Sequence, residues 1–470
     1  MSPAAPEELV LAVGAPAHGG HCVARPVDDP NGRVVFVRHA LPGETVRARL
    51  TQKTSKMWRA DAVEVLTASP DRVDPVWPEA GPGGVGGGEL SHVALPAQRT
   101  WKRWVLADCL RRLGGEQVAE AVLALPESSA PGGVPVEPMP SETRAARSGD
   151  PRVRALAGTG TRTRVELTAT PDGRAGMNAF RSGTVLPVSS LPLAVPALQE
   201  LGLTERSRWR KQLRPGTRVH AVAPSGGDPV VVLTDGRGET VLTGAAHATG
   251  RRRVDELVDA DGLGLGELRY SVHADGFWQV HRDAPAVLVD RVVRAALGAR
   301  PSAAGTRKGD APLDRDTVAG TRVLELYSGA GLFTLPLALL GCEVLSLEGS
   351  EQAVRDARRT LHDLPGTRLH AGRVTAASVA VLGVSFGPGR DERADVVVLD
   401  PPRAGARREV AQAVAVLGPR RIVLVACDPA ALARDLGTLL AAGYAPASLA
   451  ALDMFPYTHH FETVAILERA

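Results

Sequence analysis

The last third of the sequence narrows the choice of fold most, because apolar strands alternate there with helical segments. From Thr321 onward the apolar runs RVLELYS, EVLSLEG, ADVVVLD and RRIVLVAC are separated by segments with helical spacing. Alternating elements of these lengths indicate a parallel sheet with helices on both faces. We therefore predict an α/β, Rossmann-like domain that ends in a strand, FETVAILER, near one edge of the sheet.

The first of these strands leads into a glycine turn. Gly329 and Gly331 would let the backbone approach a ligand, and Glu348 ends the next strand, where a carboxylate can bind ribose hydroxyls. Thr334 stands where a dinucleotide fingerprint needs a third glycine. The turn favours a nucleoside cofactor, and on its own it leaves both NAD and S-adenosylmethionine open.

Three more chemically active side chains fall at the ends of buried strands. Asp400 precedes two prolines, which cannot continue a central strand. The chain therefore turns away and leaves the carboxylate at the carboxyl end of the strand, where ligands of such sheets bind. Cys427 ends the next strand, and the start of the following helix should favour the thiolate of a candidate nucleophile. Glu462 begins the last strand and is a candidate base. His459 and His460 precede it without metal-site spacing, so we predict no metal ligands.

The rest of the chain predicts two further domains. Residues 8–66 contain five short strands joined by turns, typical of a small OB-like β-barrel. The loop between the last two of these strands, TQKTSKMWRA, is basic and carries Trp58. It either binds single-stranded nucleic acid or is a solvated hairpin without a binding role. A helix from about Pro96 to Leu113 and further strands predict a central mixed α+β domain. We place the domains at 1–68, 69–272 and 273–470, with flexible insertions near 141–162 and 301–320.

Composition and charge exclude some classes of protein. No apolar run approaches the ~18 residues that span a bilayer, and the acidic start of the chain does not resemble a signal peptide. The four cysteines show no ligand spacing, so we expect a cytoplasmic protein with free thiols. The net charge of +3 permits a nucleic-acid partner without requiring one.

Taken together, the motifs resemble those of the RNA uridine-C5 methyltransferases that use S-adenosylmethionine. In this sequence, LELYSGAGLFTLPLA resembles the family's cofactor loop, and VVLDPPRAGA resembles its DPPR motif. VACDPAALARDL resembles the family's nucleophile motif, and DMFPYTHHFETVAIL resembles its terminal base motif. GFWQVH resembles the segment that opens the catalytic domain, and GAPAHGGHCVAR resembles a TRAM RNA-binding barrel. Four catalytic motifs in the family's order make the resemblance specific, and it covers most of the chain.

The resemblance implies a role for each candidate residue. Four residues would surround the cofactor or the target base: Gln279, Tyr327, Glu348 and Asp400. Cys427 would be the nucleophile that adds to C6 of uracil, and Glu462 would be the base that removes the C5 proton. The implied cofactor is S-adenosylmethionine, and the implied partner is RNA, with ribosomal RNA favoured and transfer RNA open. We expect a monomer.

The chain departs from the family pattern at the iron–sulfur ligands that many members carry. The corresponding positions hold Trp77, Val85, Gly88 and Ser190, none of which supplies a thiolate, so we predict no cluster. Asp428 stands where many members have Asn, and Leu332 where some have a polar residue. Two other functions remain open from the sequence: a hydride-transfer enzyme, and an RNA-binding factor without activity.

Overall fold

The amino-terminal strands form a closed barrel in the computed structural model, which describes residues 7–129, 133–243, 247–248, 250, 252–298, 313–362, 364–386 and 393–470. Leu11 and Val13 are buried and alternate with exposed neighbours, so one face of the first strand fills the barrel. The barrel order is β1-β2-β3-β5-β4. The strands are β1 (Glu8–Ala17), β2 (His21–Pro26), β3 (Val35–Arg38), β4 (Thr45–Lys53) and β5 (Trp58–Thr67).

A helical segment follows the barrel. Trp101, Val105, Cys109 and Leu110 are all buried, as the helical spacing of the sequence predicted. The helix continues into a π-helical turn over Leu110–Gly114. The elements are α1 (Leu95–Cys109), α2 (Glu116–Leu123), β6 (Val136–Glu137), α3 (Pro140–Ala146) and α4 (Pro151–Ala155).

The middle of the chain forms an antiparallel sheet of seven strands. Its order is β13-β12-β11-β10-β7-β8-β9, and Trp77 and Trp209 are buried in the apolar core that covers it. The elements are β7 (Arg164–Ala169), β8 (Ala175–Asn178), β9 (Val185–Pro187), α5 (Pro196–Gln199), α6 (Arg206–Trp209), β10 (Arg218–Val222), β11 (Val230–Asp235), β12 (Gly238–Thr243) and β13 (His247–Ala248).

A hairpin links this sheet to the carboxy-terminal domain. Its strands, β14 (Arg253–Asp259) and β15 (Glu267–His273), pair only with each other among the described strands. The buried residues of the hairpin and of α7 (Ala284–Leu297) belong to the same apolar core as the carboxy-terminal sheet. The hairpin therefore packs with that sheet, although it precedes residue 273.

The carboxy-terminal domain is built on an eight-stranded sheet with the order β18-β17-β16-β19-β20-β22-β21-β6. The first five strands are parallel, and β22 is antiparallel to both of its neighbours. The elements are α8 (Arg315–Val318), β16 (Arg322–Leu326), α9 (Thr334–Leu339), β17 (Glu343–Glu348), α10 (Glu351–Thr360), β18 (Thr367–Ala371), α11 (Ala376–Leu382), β19 (Val396–Leu399), α12 (Arg407–Leu417), β20 (Arg421–Ala426), α13 (Pro429–Ala441), β21 (Tyr444–Leu452) and β22 (Glu462–Arg469).

Two expectations about this sheet need adjustment. The last strand, β22, lies inside the sheet, because β21 and the two-residue strand β6 pair beyond it. The strand β6 comes from the region we assigned to the central domain, so the chain enters the carboxy-terminal sheet earlier than expected. The boundaries 1–68, 69–272 and 273–470 otherwise stay predictions.

The segment 141–162, which we predicted as a flexible insertion, contains α3 and α4. Pro140 and Pro151 occupy the first turns of these helices, where proline is tolerated. Arg99 pairs with Glu142, and the hydroxyl of Tyr457 donates to the carbonyl of Ala157 at 2.6 Å. We had expected a flexible insertion here, whereas the segment forms two short helices that are held by contacts to other parts of the chain.

The second insertion, 301–320, falls mostly outside the described residues, which resume at 313 with α8. Among the helices that the structure describes, none has the length and apolar character to span a membrane.

Candidate active site

Five of the six predicted site residues lie at one edge of the carboxy-terminal sheet. Register explains this, because Leu326 pairs with both Leu347 and Leu399, and Leu399 pairs with Leu424. Ala426 of β20 pairs with Thr463 of the antiparallel β22. The predicted residues at this edge therefore lie close together, because each one follows, ends or begins one of these strands: Tyr327, Glu348, Asp400, Cys427 and Glu462. Ligands of open α/β sheets bind at this edge.

The glycine turn after β16 is held by the carboxylate of Glu348. That carboxylate accepts the backbone N–H of Gly329 at 3.0 Å and the N–H of Ser350 at 2.6 Å. Tyr327 has a left-handed φ of 62°, a conformation that non-glycine residues rarely adopt outside functional sites. Apart from its chain neighbours, no described atom lies within 4 Å of a Cβ built on Gly329, so the turn borders open space.

A buried carboxyl group beneath this turn was missed in the sequence analysis. Glu325 lies in β16, and Oε2 accepts the hydroxyl of Thr334 at 2.5 Å. Burial, with Asp400 and Glu348 nearby, raises the pKa of Glu325 to about 8, so it is largely protonated at neutral pH. A glutamate inside the apolar run RVLEL was the available signal.

Asp400 lies close to other acids, and this alters its protonation. Burial raises the pKa of Asp400 to about 7, and the charge of Glu348 adds to the effect. Its backbone N–H donates to the carbonyl of Leu326 at 3.3 Å, which fixes it beside the glycine turn. A cation bound here would favour the ionised form of Asp400.

Cys427 is half-buried at the end of β20, and it is protonated in this state. Burial above all, together with the charges of Glu462, Asp400 and Asp428, raises the pKa of its thiol to about 12, although Arg403 opposes the shift. We had expected the start of α13 to favour the thiolate. That expectation is wrong for the substrate-free protein, because burial and neighbouring carboxylates outweigh the helix.

Glu462 faces Cys427 across the sheet, since their neighbours Thr463 and Ala426 are paired. Burial raises the pKa of Glu462 well above its ordinary value, and Asp400 adds to this shift, whereas Arg403 opposes it. Its Oε1 is buried and has no hydrogen-bond partner among the described residues. An unpaired buried carboxyl oxygen costs stability, which is typical of a group kept for a ligand or a reaction.

Gln279 does not join the other five through any hydrogen bond or ion pair that the described residues make. It is buried, and its neighbour Val280 accepts the backbone N–H of Thr163 at 2.8 Å. Its other neighbour, Trp278, packs on Tyr270, whose hydroxyl donates to the carbonyl of Leu332 at 2.9 Å. This chain of contacts connects the GFWQVH segment to the glycine turn.

The two histidines before Glu462 are half-buried and cluster with the buried Glu89. His459 Nδ1 hydrogen-bonds the carboxylate of Glu89, and the rings of His459 and His460 lie 3.9 Å apart. Their ligand atoms lie within 4.8 Å of one another, a spacing that a metal ion could bridge. Burial lowers the pKa of His460 to about 3. Glu89 already accepts hydrogen bonds from the backbone and ring of His459, so we expect these residues to orient the loop before Glu462 and keep the prediction that they are not metal ligands.

The positions of the family's iron–sulfur ligands do not fit a cluster here. Trp77 and Val85 are buried, and a Cβ on Gly88 would lie 2.7 Å from the Trp77 ring, so the indole fills this space. The Glu79 carboxylate accepts the backbone N–H and hydroxyl of both Ser189 and Ser190. Packing around Trp77 and the Glu79 carboxylate thus hold together residues 77–88 and 189–190, where many family members have cluster ligands.

Comparisons with known proteins agree with this geometry. Residues 314–470 match the family model described as tRNA (Uracil-5-)-methyltransferase, and residues 7–63 match the TRAM domain. A 23S rRNA (uracil(1939)-C(5))-methyltransferase RlmD of Alkalilimnicola ehrlichii is 31% identical, over 98% of this chain and 97% of its own length. The chain belongs to the RNA uracil-C5 methyltransferase family.

Two further relatives extend the comparison. An uncharacterized RNA methyltransferase of Bifidobacterium longum is 37% identical, over 96% of this chain and 95% of its own length. The crystal structure of Pyrococcus abyssi tRNA (uracil-54, C5)-methyltransferase with S-adenosyl-L-homocysteine superposes with a TM-score of 0.61 at 20% identity. That superposition covers 97% of this chain and 100% of the Pyrococcus chain, and it supports the fold.

These comparisons confirm the fold class, with its TRAM barrel and Rossmann-like domain, and the dependence on S-adenosylmethionine. They set aside the hydride-transfer interpretation. The roles of Gln279, Tyr327, Glu348, Asp400, Cys427 and Glu462 stay predictions.

Proposed function

We propose that this family member methylates C5 of a uridine in 23S ribosomal RNA, through a bond between Cys427 and C6 that Glu462 resolves. The observation that carries the proposal is the pairing of β20 with β22, which brings the thiol and the carboxyl group together beside the glycine turn. A nucleophile and a base that face one open space are what this chemistry requires.

Cys427 supplies the first step. C5 of uracil is a weak nucleophile, so the thiolate adds to C6, and the electron pair of the C5–C6 bond moves toward C5 and O4. The thiol is protonated in the free protein, and Arg403 is the cation that lowers its pKa. Substrate binding therefore has to promote ionisation of Cys427, and Arg403 supports this.

The cofactor residues fit S-adenosylmethionine by shape and charge. When bound, it supplies a methyl group as an electrophilic sulfonium, which C5 of the adduct accepts. Glu348 already orders the glycine turn and has a carboxylate for ribose hydroxyls. Asp400 and Glu325 are buried acids beside that turn, and their charged forms would be stabilised by a sulfonium cation.

Glu462 completes the reaction. After methyl transfer, C5 carries both the methyl group and its original proton, which the Glu462 carboxylate removes. The electron pair reforms the C5–C6 double bond, and Cys427 leaves as a thiolate. Because burial keeps Glu462 protonated in the free protein, the base must first lose its own proton, and Arg403 favours this.

The barrel and the turn between β8 and β9 beside it offer aromatic and cationic side chains that suit RNA. The side chains of Arg33 and Lys53 lie 5.4 and 4.6 Å from the centroid of the Trp58 ring. Arg38 and Arg181 lie 3.9 and 5.2 Å from the centroid of Phe180. Aromatic rings stack on unpaired bases and arginines bind phosphates, so these groups could hold the strand while the target uridine is flipped out.

Two observations bear on the choice of RNA. Relatives named for 23S ribosomal RNA match almost the full chain, barrel included, at 31% and 32% identity, which supports the ribosomal substrate. The fold of the Pyrococcus enzyme that acts on transfer RNA also spans the whole chain, so transfer RNA is the second candidate. A non-catalytic RNA-binding role is disfavoured by the presence of both Cys427 and Glu462.

The test compares RNAs in separate reactions. Purified protein and S-adenosylmethionine are incubated with unmodified 23S ribosomal RNA or transfer RNA, and digested nucleosides are analysed by mass spectrometry. We expect 5-methyluridine from the ribosomal RNA and none with the Cys427→Ala variant. Product from transfer RNA alone would refute the ribosomal assignment, and no product from either, with cofactor binding intact, would favour the non-catalytic role.

A further inference from the structure

The turn between β1 and β2 of the barrel reaches the catalytic edge of the carboxy-terminal sheet. His18 Nε2 lies 3.0 Å from Oδ2 of Asp428, although 410 positions separate them in sequence. Two residues later, a Cβ built on Gly20 would lie 3.1 Å from Nδ1 of His459 and 3.4 Å from Cγ of Glu89. One barrel turn therefore contacts both the loop after the nucleophile and the loop before the base.

Asp428 is the charge closest to Cys427 in the sequence, and its carboxylate is shared between two tasks. Oδ1 accepts the backbone N–H groups of Ala430 and Ala431 at 3.0 and 2.9 Å, which caps α13. Oδ2 accepts from His18. Burial alone would raise the pKa of Asp428, but the His18 hydrogen bond and the two amides outweigh it and lower the pKa.

Asp428 is therefore ionised at neutral pH, and its negative charge opposes formation of the Cys427 thiolate. Glu462 and Asp400 oppose it in the same way, and Arg403 favours it. A hydrogen-bond donor on Oδ2 of Asp428 would reduce this penalty without moving the helix cap, which uses Oδ1.

We propose that His18 is a positioning residue for the methyltransferase reaction, whose hydrogen bond to Asp428 offsets the Asp428 charge beside Cys427 and fixes the nucleophile loop against the barrel. This rests on the proposed function of Cys427. The barrel is then part of the catalytic site as well as an RNA-binding surface, and the site is incomplete without it.

The proposal differs from a purely structural contact. The His18 side chain is 43% exposed, and the α13 cap uses the other Asp428 oxygen, so loss of His18 should not unfold the protein. If the contact were only structural, His18→Ala would lower the free energy of unfolding whichever residue stands at 428. Charge compensation predicts that the His18 effect depends on the Asp428 charge.

The experiment is a double-variant cycle on the full-length protein. His18→Ala is made in the wild-type and in the Asp428→Asn backgrounds, since asparagine also caps helices. We expect kcat to fall about three- to fourfold in the wild-type background, which corresponds to a rise of one pH unit in the pKa of Cys427 after the gain in thiolate nucleophilicity is included. In the Asp428→Asn background we expect a loss below about twofold, with KM for RNA little changed in both. His18→Gln, whose amide can still donate a hydrogen bond to Asp428, should keep more of the wild-type kcat than His18→Ala.

A second readout separates this proposal from the proposed function. The alkylation rate of Cys427 by iodoacetamide, read by peptide mass spectrometry, should fall with His18→Ala and recover with Asp428→Asn, even in a protein without methyltransferase activity. His362→Ala, which changes an exposed histidine that makes no described contact with Asp428, serves as the matched control. Equal losses in both backgrounds, or a higher KM with unchanged kcat, would overturn the proposal.

Discussion

The protonation of Cys427 gives the most quantitative test of the site. Burial, Glu462 and Asp400 raise the pKa of its thiol from 9.0 to about 12 in the free protein. A shift of three pH units leaves about 1,000-fold less thiolate than an ordinary cysteine has at the same pH. Thiolates with a higher pKa are stronger nucleophiles, and a Brønsted slope of 0.4–0.5 recovers about 15- to 30-fold.

We therefore expect iodoacetamide to alkylate Cys427 about 30- to 60-fold more slowly than a cysteine in a short peptide at about pH 8. Each protein cysteine is followed by its own peptide in the mass spectrometer, because Cys22, Cys109 and Cys342 are buried and must be distinguished. The rate should rise about tenfold with each pH unit up to at least pH 10.

Two substitutions should move this rate in opposite directions. Asp400→Asn removes a negative charge that raises the pKa of Cys427, so alkylation should become faster. Arg403→Gln removes the cation that lowers it, so alkylation should become slower. A rate equal to that of the peptide, with a plateau below about pH 9, would refute the reasoning, as would two substitutions that change the rate in the same direction.

Three other predictions concern the cofactor, the fold and RNA. Because the pKa of Asp400 is about 7, S-adenosylmethionine should bind more tightly as the pH rises toward and through 7. Below pH 7 the affinity should increase by up to about tenfold for each pH unit, as measured by calorimetry at several pH values. Glu79→Ala removes the carboxylate that joins residues 77–88 to Ser189 and Ser190, and it should lower the free energy of unfolding by about 1–3 kcal/mol in chemical denaturation. Arg181→Ala should weaken RNA binding and reduce its salt dependence by about one phosphate contact in filter-binding titrations.

Each of these has a control. Asp400→Asn should reduce the pH dependence of cofactor binding near 7 to the part that Glu325, with a pKa of about 8, contributes. A dependence as steep as that of the wild type would assign the effect to another group. Glu79→Gln keeps an acceptor, so it should cost less than Glu79→Ala. Arg174 is already paired with Asp172 at 2.7 Å, so Arg174→Ala should change RNA binding less than Arg181→Ala.

The sequence predicted the converging residues because parallel strands end at a common edge. Asp400, Cys427 and the glycine turn each follow an apolar run, and such runs can be read without a structure. Glu462 was predicted from its place before the last strand and from the family motif. The barrel was predicted for a similar reason, since its five strands are separated by clear turn residues.

The remaining features depend on contacts that no local pattern encodes. The strand β6 has two residues, and only its pairing with β21 makes it a strand. The contact between His18 and Asp428 joins positions 410 residues apart. The raised pKa of Cys427 comes from burial and from carboxylates on other strands, so a reading of the helix start alone gave the wrong direction.

The most direct test of the account is to trap the bond between Cys427 and RNA. Glu462→Gln removes the base but keeps the nucleophile, so incubation with S-adenosylmethionine and 23S ribosomal RNA should leave a methylated adduct. After nuclease and protease digestion, mass spectrometry should find the Cys427 peptide carrying a uridine nucleotide with one added methyl group. Full turnover by this variant, or an adduct on a residue other than Cys427, would contradict the mechanism.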